Sequence, residues 1–212
     1  MSKKYYENTA GAGQILAPTA SGSPIRMKNI YTVPNILTAY RFAIVPVLLF
    51  LLQPARSDLV ALAAFFLFLS GALTDLADGY LARKYGIESV LGKLMDPLAD
   101  KMLVATPLIM LIPLDRIPAW VSLLIISREL AVTGLRGLAA ASGIVVSASG
   151  LGKIKSVFQY TALSILIFPL GLLPLPFLHD LGRMILYVSL LLTVWSGFDY
   201  FVRLQKIYLT SR

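Results

Sequence analysis

The sequence predicts an all-α fold, a polytopic membrane bundle of six transmembrane helices with both termini in the cytoplasm. Three observations predict it. Of the 212 residues, 57% are hydrophobic and only 14% charged, and the mean hydropathy is +0.76, the balance of an integral membrane protein. Six apolar segments, each near the ~20 residues that cross a bilayer as a helix, run at 34–53, 59–82, 91–113, 117–137, 154–173 and 181–202. Basic residues fall unevenly between them. The tail with the first helix start, the second and fourth connections and the C-terminus together hold fifteen of the nineteen Lys and Arg. The opposite side receives Arg56, Arg116 and Arg183, with Lys101 left inside a span. The side richer in Lys and Arg is the cytoplasmic one.

Residues 1–29 are rich in Gly, Ala, Ser and Thr and contain no long apolar run, so they read as a mobile N-terminal tail rather than a cleaved signal peptide. Residues 30–212 form the membrane domain. There is no cysteine, which excludes disulfides and thiolate metal sites. The single histidine, His179, falls in a predicted loop, so a histidine-based metal site is not expected. The net charge of +8 suits anionic lipid surfaces and phosphorylated small molecules; no nucleic acid partner is expected.

The first span opens Pro34-Asn35-Ile36-Leu37-Thr38, with Arg41 one turn further on. Proline fits a helix start, where its missing N–H costs nothing. Asn35 and Thr38 suit capping of that start equally well as contact with a phosphate. Pro46 needs no role beyond a kink. In the second span Phe65, Phe66 and Phe68 read as lipid-facing or packing residues. The fourth span carries Arg128, Glu129 and Arg136 in apolar surroundings, and the spacing of eight keeps both arginines roughly on one face. The fifth opens Gly152-Lys153-Ile154-Lys155. All these cations would converge on the cytoplasmic side. Arginine suits bidentate phosphate recognition and lysine acts as a point charge, although Lys155 alone also fits ordinary flanking. The last span, with Trp195, Tyr200 and Tyr208, offers interfacial aromatics.

The adjoining ends of the second and third spans carry the chemistry. Asp75 and Asp78 are spaced i,i+3, and Asp96 and Asp100 are spaced i,i+4, so each pair projects from one helix face. Ionisable groups at membrane depth are costly and by default mark function. Four carboxylates would repel one another unless a cation sat among them, and oxygen-only ligands suit a hard ion such as Mg²⁺ or Mn²⁺. Gly79, Ala82 and Gly92 leave the neighbourhood nearly bare of side chain, so that a nucleotide could approach the backbone. Arg83 follows at once. Pro97 sits beside Asp96 and could bend the third helix.

Asp75-x2-Asp78-Gly79-x2-Ala82-Arg83-x8-Gly92-x3-Asp96-x3-Asp100 resembles, without a departure, the signature of the CDP-alcohol phosphotransferases. The opening Pro34-Asn35 with Leu37-Thr38 and Arg41 is similar to that of the glycerophosphate-using branch of this family. So are Ser127 to Arg136, Gly152 to Lys155 and the following Gln159, and the likeness spans roughly residues 30–203. The resemblance implies transfer of a phosphatidyl group from CDP-diacylglycerol to sn-glycerol 3-phosphate, with release of CMP. It implies Mg²⁺ or Mn²⁺, two ions, on Asp75, Asp78, Asp96 and Asp100, with Asp100 as base toward the acceptor hydroxyl. Gly79, Ala82, Arg83, Gly92, Asn35 and Thr38 would meet the CDP-lipid; Arg128, Arg136, Lys153 and Lys155 would hold the acceptor phosphate. A homodimer in the bacterial inner membrane, surrounded by membrane lipid and with its site facing the cytoplasm, is the family expectation.

The aspartate motif alone does not separate this acceptor from inositol phosphate, serine or phosphatidylglycerol, although the basic cluster argues against serine. A cation transporter would explain the intramembrane carboxylates but not the glycines and arginines at these spacings.

Overall fold

The computed structural model describes residues 33–54, 57–85, 90–142, 150–172, 175 and 177–210, with side chains described throughout except at 33–35, 76–85, 90–94, 150, 151 and 208–210. The predicted tail, 1–29, lies outside the described residues. Six helices follow in order: α1 (Val33–Leu51), α2 (Asp58–Tyr85), α3 (Val90–Met110), α4 (Ala119–Ala141), α5 (Gly150–Ile167) and α6 (Leu178–Thr210). No strand occurs among the described residues. Each helix coincides with one predicted apolar segment, and α6 runs eight residues beyond its segment.

Among the described residues, two helices are by themselves long and apolar enough to cross a membrane, over Asp58–Asp75 in α2 and Leu178–Ile207 in α6. The other four fall short for physical reasons visible in their sequences. The apolar part of α1 covers only Ile36–Leu51, and α3, α4 and α5 carry the charged groups that build the site. The outer faces of α4 and α6 expose large apolar side chains, among them Leu123, Leu138, Leu191, Trp195 and Phe198, a surface suited to lipid contact.

The inward stripe of each helix follows helical spacing and changes character along its length. In α1, Thr38 and Arg41 are buried first, then Val45, Leu48 and, just past the helix end, Leu52. In α5, Lys155 and Gln159 precede Ala162 and Leu166. In α2 the order reverses: Ala64, Phe68 and Ala72 lead to Asp75. One end of the bundle is thus an apolar core of Leu48, Phe68, Leu103, Ile125, Leu163 and Leu186, and the other end is polar.

Backbones approach closely where glycine allows it. A Cβ on Gly71 would lie 3.0 Å from Leu103 Cδ1 and 3.3 Å from Ile44 Cδ1, which brings α2 onto α3 and α1. One on Gly182 would lie 2.9 Å from Leu166 Cγ, in the extensive α5–α6 pairing. Arg116, in the α3–α4 connection, donates through Nη1 to the carbonyls of Leu166 (2.7 Å) and Ile167 (3.2 Å), satisfying the open C-terminus of α5. α3 runs through Pro97 and Pro107 as one helix.

Two expectations need correcting. His179 lies in the first turn of α6 rather than in a loop, and its Nε2 bonds the Phe168 carbonyl at 2.9 Å. Tyr200 is not an interfacial aromatic: only 6% exposed, it turns into the bundle, whereas Trp195 remains 70% exposed. The three phenylalanines of α2 divide, with Phe68 fully buried and Phe66 outside.

Candidate active site

The polar end of α1 meets the acid-bearing ends of α2 and α3. Arg41 is 1% exposed, and its guanidinium lies among three carboxylates. Its Nη1 donates to Asp75 Oδ1 at 2.9 Å and also to Asp100 Oδ1, while Nη2 stands 3.6 Å from Asp96 Oδ1. Thr38, one turn earlier on the same stripe, donates its hydroxyl to Asp96. From α5, Tyr160 donates its phenolic hydrogen to Asp75 Oδ2 at 2.8 Å. The stripe geometry of α1 explains the arrangement: Thr38 and Arg41 occupy positions that further along the helix hold core aliphatics, so they can point nowhere but inward. A guanidinium buried this far requires paired, hydrogen-bonded anions, and the acids supply them.

Asp75, Asp96 and Asp100 are therefore brought together. Asp78, Gly79, Ala82 and Arg83 lie on the helical backbone of α2, Gly92 on that of α3 and Asn35 on that of α1, but their side chains fall outside the described residues.

Beside the cluster opens a cavity of about 790 Å³. Asp75, Asp100 and Tyr160 line it, and so do Arg128, Arg136, Lys153 and Lys155. Four cations named from the sequence thus share one cavity with two of the acids. How they are held was not legible in the sequence. Glu129 accepts from Arg128 Nη1 at 3.0 Å and from Lys155 Nζ, and Arg128 Nη2 donates to Ser196 Oγ at 2.6 Å. Lys155, which could have been a flanking residue, is 5% exposed and points inward. The guanidinium of Arg136 lies 5.8 Å from the Tyr200 ring centre, a cation–π contact. Glu129, Tyr160 and Tyr200 also line the cavity, and sequence reasoning had not placed them in the candidate site. The available signal was Glu129, a third charge at depth beside Arg128.

The donor set is of the kind a hard divalent ion uses, carboxylate oxygens only. Three of these carboxylates already share one positive group, Arg41, and exceed it in charge. Among the described residues no three acidic groups stand close enough to hold one ion by themselves; the Arg41 guanidinium lies between them, and the Asp78 side chain is outside the described ones. The residues fit a divalent ion in chemistry and in charge.

Fold and site together define an apolar helical protein that sets a carboxylate cluster against a basic cavity at one end of the bundle. The family model for CDP-alcohol phosphatidyltransferase matches residues 31–195. The chain is 40% identical over 196 residues to the CDP-diacylglycerol–glycerol-3-phosphate 3-phosphatidyltransferase of Bacillus subtilis (strain 168), covering 86% of this chain and all of that one. It is 39% identical over 175 residues to the protein of the same name from Rickettsia typhi, covering 82% and 96%. To the probable phosphatidylglycerophosphate synthase of Mycobacterium tuberculosis it is 36% identical over 191 residues, 89% of each chain. The chain belongs to the CDP-alcohol phosphatidyltransferase family. It is an enzyme of a family that generally depends on a divalent metal.

Proposed function

We propose that this enzyme transfers the phosphatidyl group of CDP-diacylglycerol to sn-glycerol 3-phosphate, giving phosphatidylglycerophosphate and CMP. The observation that carries the reading is one cavity lined both by Asp75 and Asp100 and by Arg128, Arg136, Lys153 and Lys155. A phosphorylated acceptor held by the cations has its hydroxyl directed toward the acids.

Asp75, Asp78, Asp96 and Asp100 would hold Mg²⁺ or Mn²⁺, two ions, which when bound would supply neutralisation of the diphosphate and polarisation of the phosphorus under attack. Arg41 keeps the carboxylates converged through its pairs to Asp75, Asp96 and Asp100. Gly79, Ala82 and Gly92 leave room for the nucleotide, with Arg83, Asn35 and Thr38 beside the CDP-lipid. Arg128, Arg136, Lys153 and Lys155 fix the acceptor phosphate, and Glu129 sets the positions of Arg128 and Lys155. Asp100 takes the proton of the acceptor hydroxyl as its oxygen attacks the lipid-bearing phosphorus, and the bond to the CMP oxygen breaks with its electron pair on CMP. Direct displacement requires no covalent intermediate on the protein.

In this reading residues 30–212 form the catalytic membrane domain, six helices span the bilayer and both termini and the site face the cytoplasm. A homodimer in the bacterial inner membrane completes the proposal. The positive-inside asymmetry and the placement of the acids and cations at one end of the bundle support this orientation. That one-ended placement also disfavours ion transport, which needs access from both faces.

The test is CMP release by purified protein in detergent with CDP-diacylglycerol and Mg²⁺, each of four acceptors being supplied in turn with an EDTA control. Metal-dependent release with glycerol 3-phosphate alone is expected. Release only with inositol phosphate, serine or phosphatidylglycerol would overturn the acceptor assignment, and silence with all four the transferase reading.

A further inference from the structure

We propose that Gln159 reads the acceptor's hydroxyl chain, its Nε2 donating to the hydroxyl on the middle carbon of glycerol 3-phosphate. The proposal rests on the transferase reading above and deepens it. Gln159 is 3% exposed and yet lines the cavity, and its Nε2 is buried without a hydrogen-bond partner among the described residues. Native structures rarely leave a buried amide donor unspent, because the lost hydration is not recovered. A donor in that state at the wall of a cavity is suited to a ligand acceptor group.

Its place on α5 says which group. Lys155, one turn earlier, belongs to the cationic set around Glu129. Tyr160, the next residue, holds Asp75 of the acid cluster. Gln159 therefore sits between the groups that attract phosphate and the acids that receive the reacting hydroxyl. One helical turn is about 5.4 Å, the order of length that separates the phosphate of a three-carbon polyol phosphate from its terminal hydroxyl. A molecule laid with its phosphate at Lys155 and its reactive end at Asp100 brings its middle carbon to Gln159. The Tyr200 hydroxyl, also buried without a partner, lies under Arg136 and so belongs with the phosphate end.

The experiment compares sn-glycerol 3-phosphate with 3-hydroxypropyl phosphate, which keeps the phosphate and the reacting hydroxyl but lacks the middle one. CMP release from CDP-diacylglycerol with Mg²⁺ is measured for the wild type, Gln159→Leu and Gln159→Met, all checked for folding by thermal unfolding in detergent. The wild type is expected to prefer glycerol 3-phosphate by about tenfold or more in kcat/KM, because a site that spends a buried donor on a hydroxyl rejects the analogue without it. Both variants should lose that preference, falling on glycerol 3-phosphate and changing little on the analogue. An equal fall on both acceptors, a preference kept in the folded variants, or a wild type without preference would each overturn the role of Gln159 while leaving the transferase reading in place. A wild type that releases no CMP with glycerol 3-phosphate would overturn both.

Discussion

Tyr160 of α5 donates to Asp75 Oδ2 of α2 at 2.8 Å, across 85 positions of sequence, while Arg41 of α1 donates to the other oxygen, Oδ1. Both oxygens of the first aspartate of the motif are thereby occupied by donors from helices outside the motif. The carboxylate has a set direction as a result, and α5, which brings Lys155 and Gln159 to the cavity, is tied to the acid cluster. Acid cluster and basic cavity are one construction, and Tyr160 is the joint.

Replacing Arg41 by Met should lower stability by about 2–3 kcal/mol. Breaking a buried ion pair costs about 3–5 kcal/mol, discounted here because the carboxylates are 23–37% exposed. The loss should be larger in EDTA than in Mg²⁺, since a divalent cation offsets the same repulsion. Thermal unfolding in detergent under both conditions measures it; equal melting of variant and wild type in EDTA would refute the counter-ion role of Arg41.

Asp100→Asn keeps the shape of the side chain and removes its basicity. Turnover should drop by about a hundredfold or more, the scale of a lost general base, while binding of CDP-diacylglycerol persists. Single-turnover CMP release alongside equilibrium binding separates the two. Turnover like that of the wild type would remove Asp100 from the reaction.

Arg136 stands against the Tyr200 ring on the cavity wall with no carboxylate partner among the described residues, so its charge is available to an anion. Arg136→Ala should raise KM for glycerol 3-phosphate about tenfold with kcat little changed, as expected for a lost ground-state contact. Steady-state kinetics at saturating CDP-diacylglycerol is the check, and an unchanged KM would assign Arg136 to the flanks.

Packing between α5 and α6 is testable at Gly182, where added atoms would press on Leu166 and Ile165 at 2.9–3.0 Å. Gly182→Val should destabilise by about 1–3 kcal/mol, the cost of overpacking a filled interface. A melting temperature equal to that of the wild type would mean the helices separate there at little cost.

The helices were legible because their signal is local. Apolar runs of bilayer length, broken by charge and proline, placed the start of all six within four residues, although α5 ends six residues before its segment and α6 eight beyond, and the i,i+3 and i,i+4 spacing of the aspartates put each pair on one face before any contact was known. The cations were legible for a similar reason: Arg128 and Arg136 interrupt apolar sequence, and a charge in such surroundings demands a use. Lys155 was ambiguous because a lysine at a helix start reads alike whether it points to water or inward.

Sequence by itself determined the composition of the bundle, the acid motif, the family and the basic residues that line the cavity. Tertiary structure alone decided who partners whom. Nothing local says that Arg41, rather than another cation, stands among Asp75, Asp96 and Asp100, that Glu129 holds both Arg128 and Lys155, or that Tyr200 turns inward under Arg136. Those pairings follow from which helix faces pack together. A buried charge or phenol is stabilised only by the particular groups that this packing brings within hydrogen-bond reach, and residues 26 to 85 positions apart carry no local trace of that meeting.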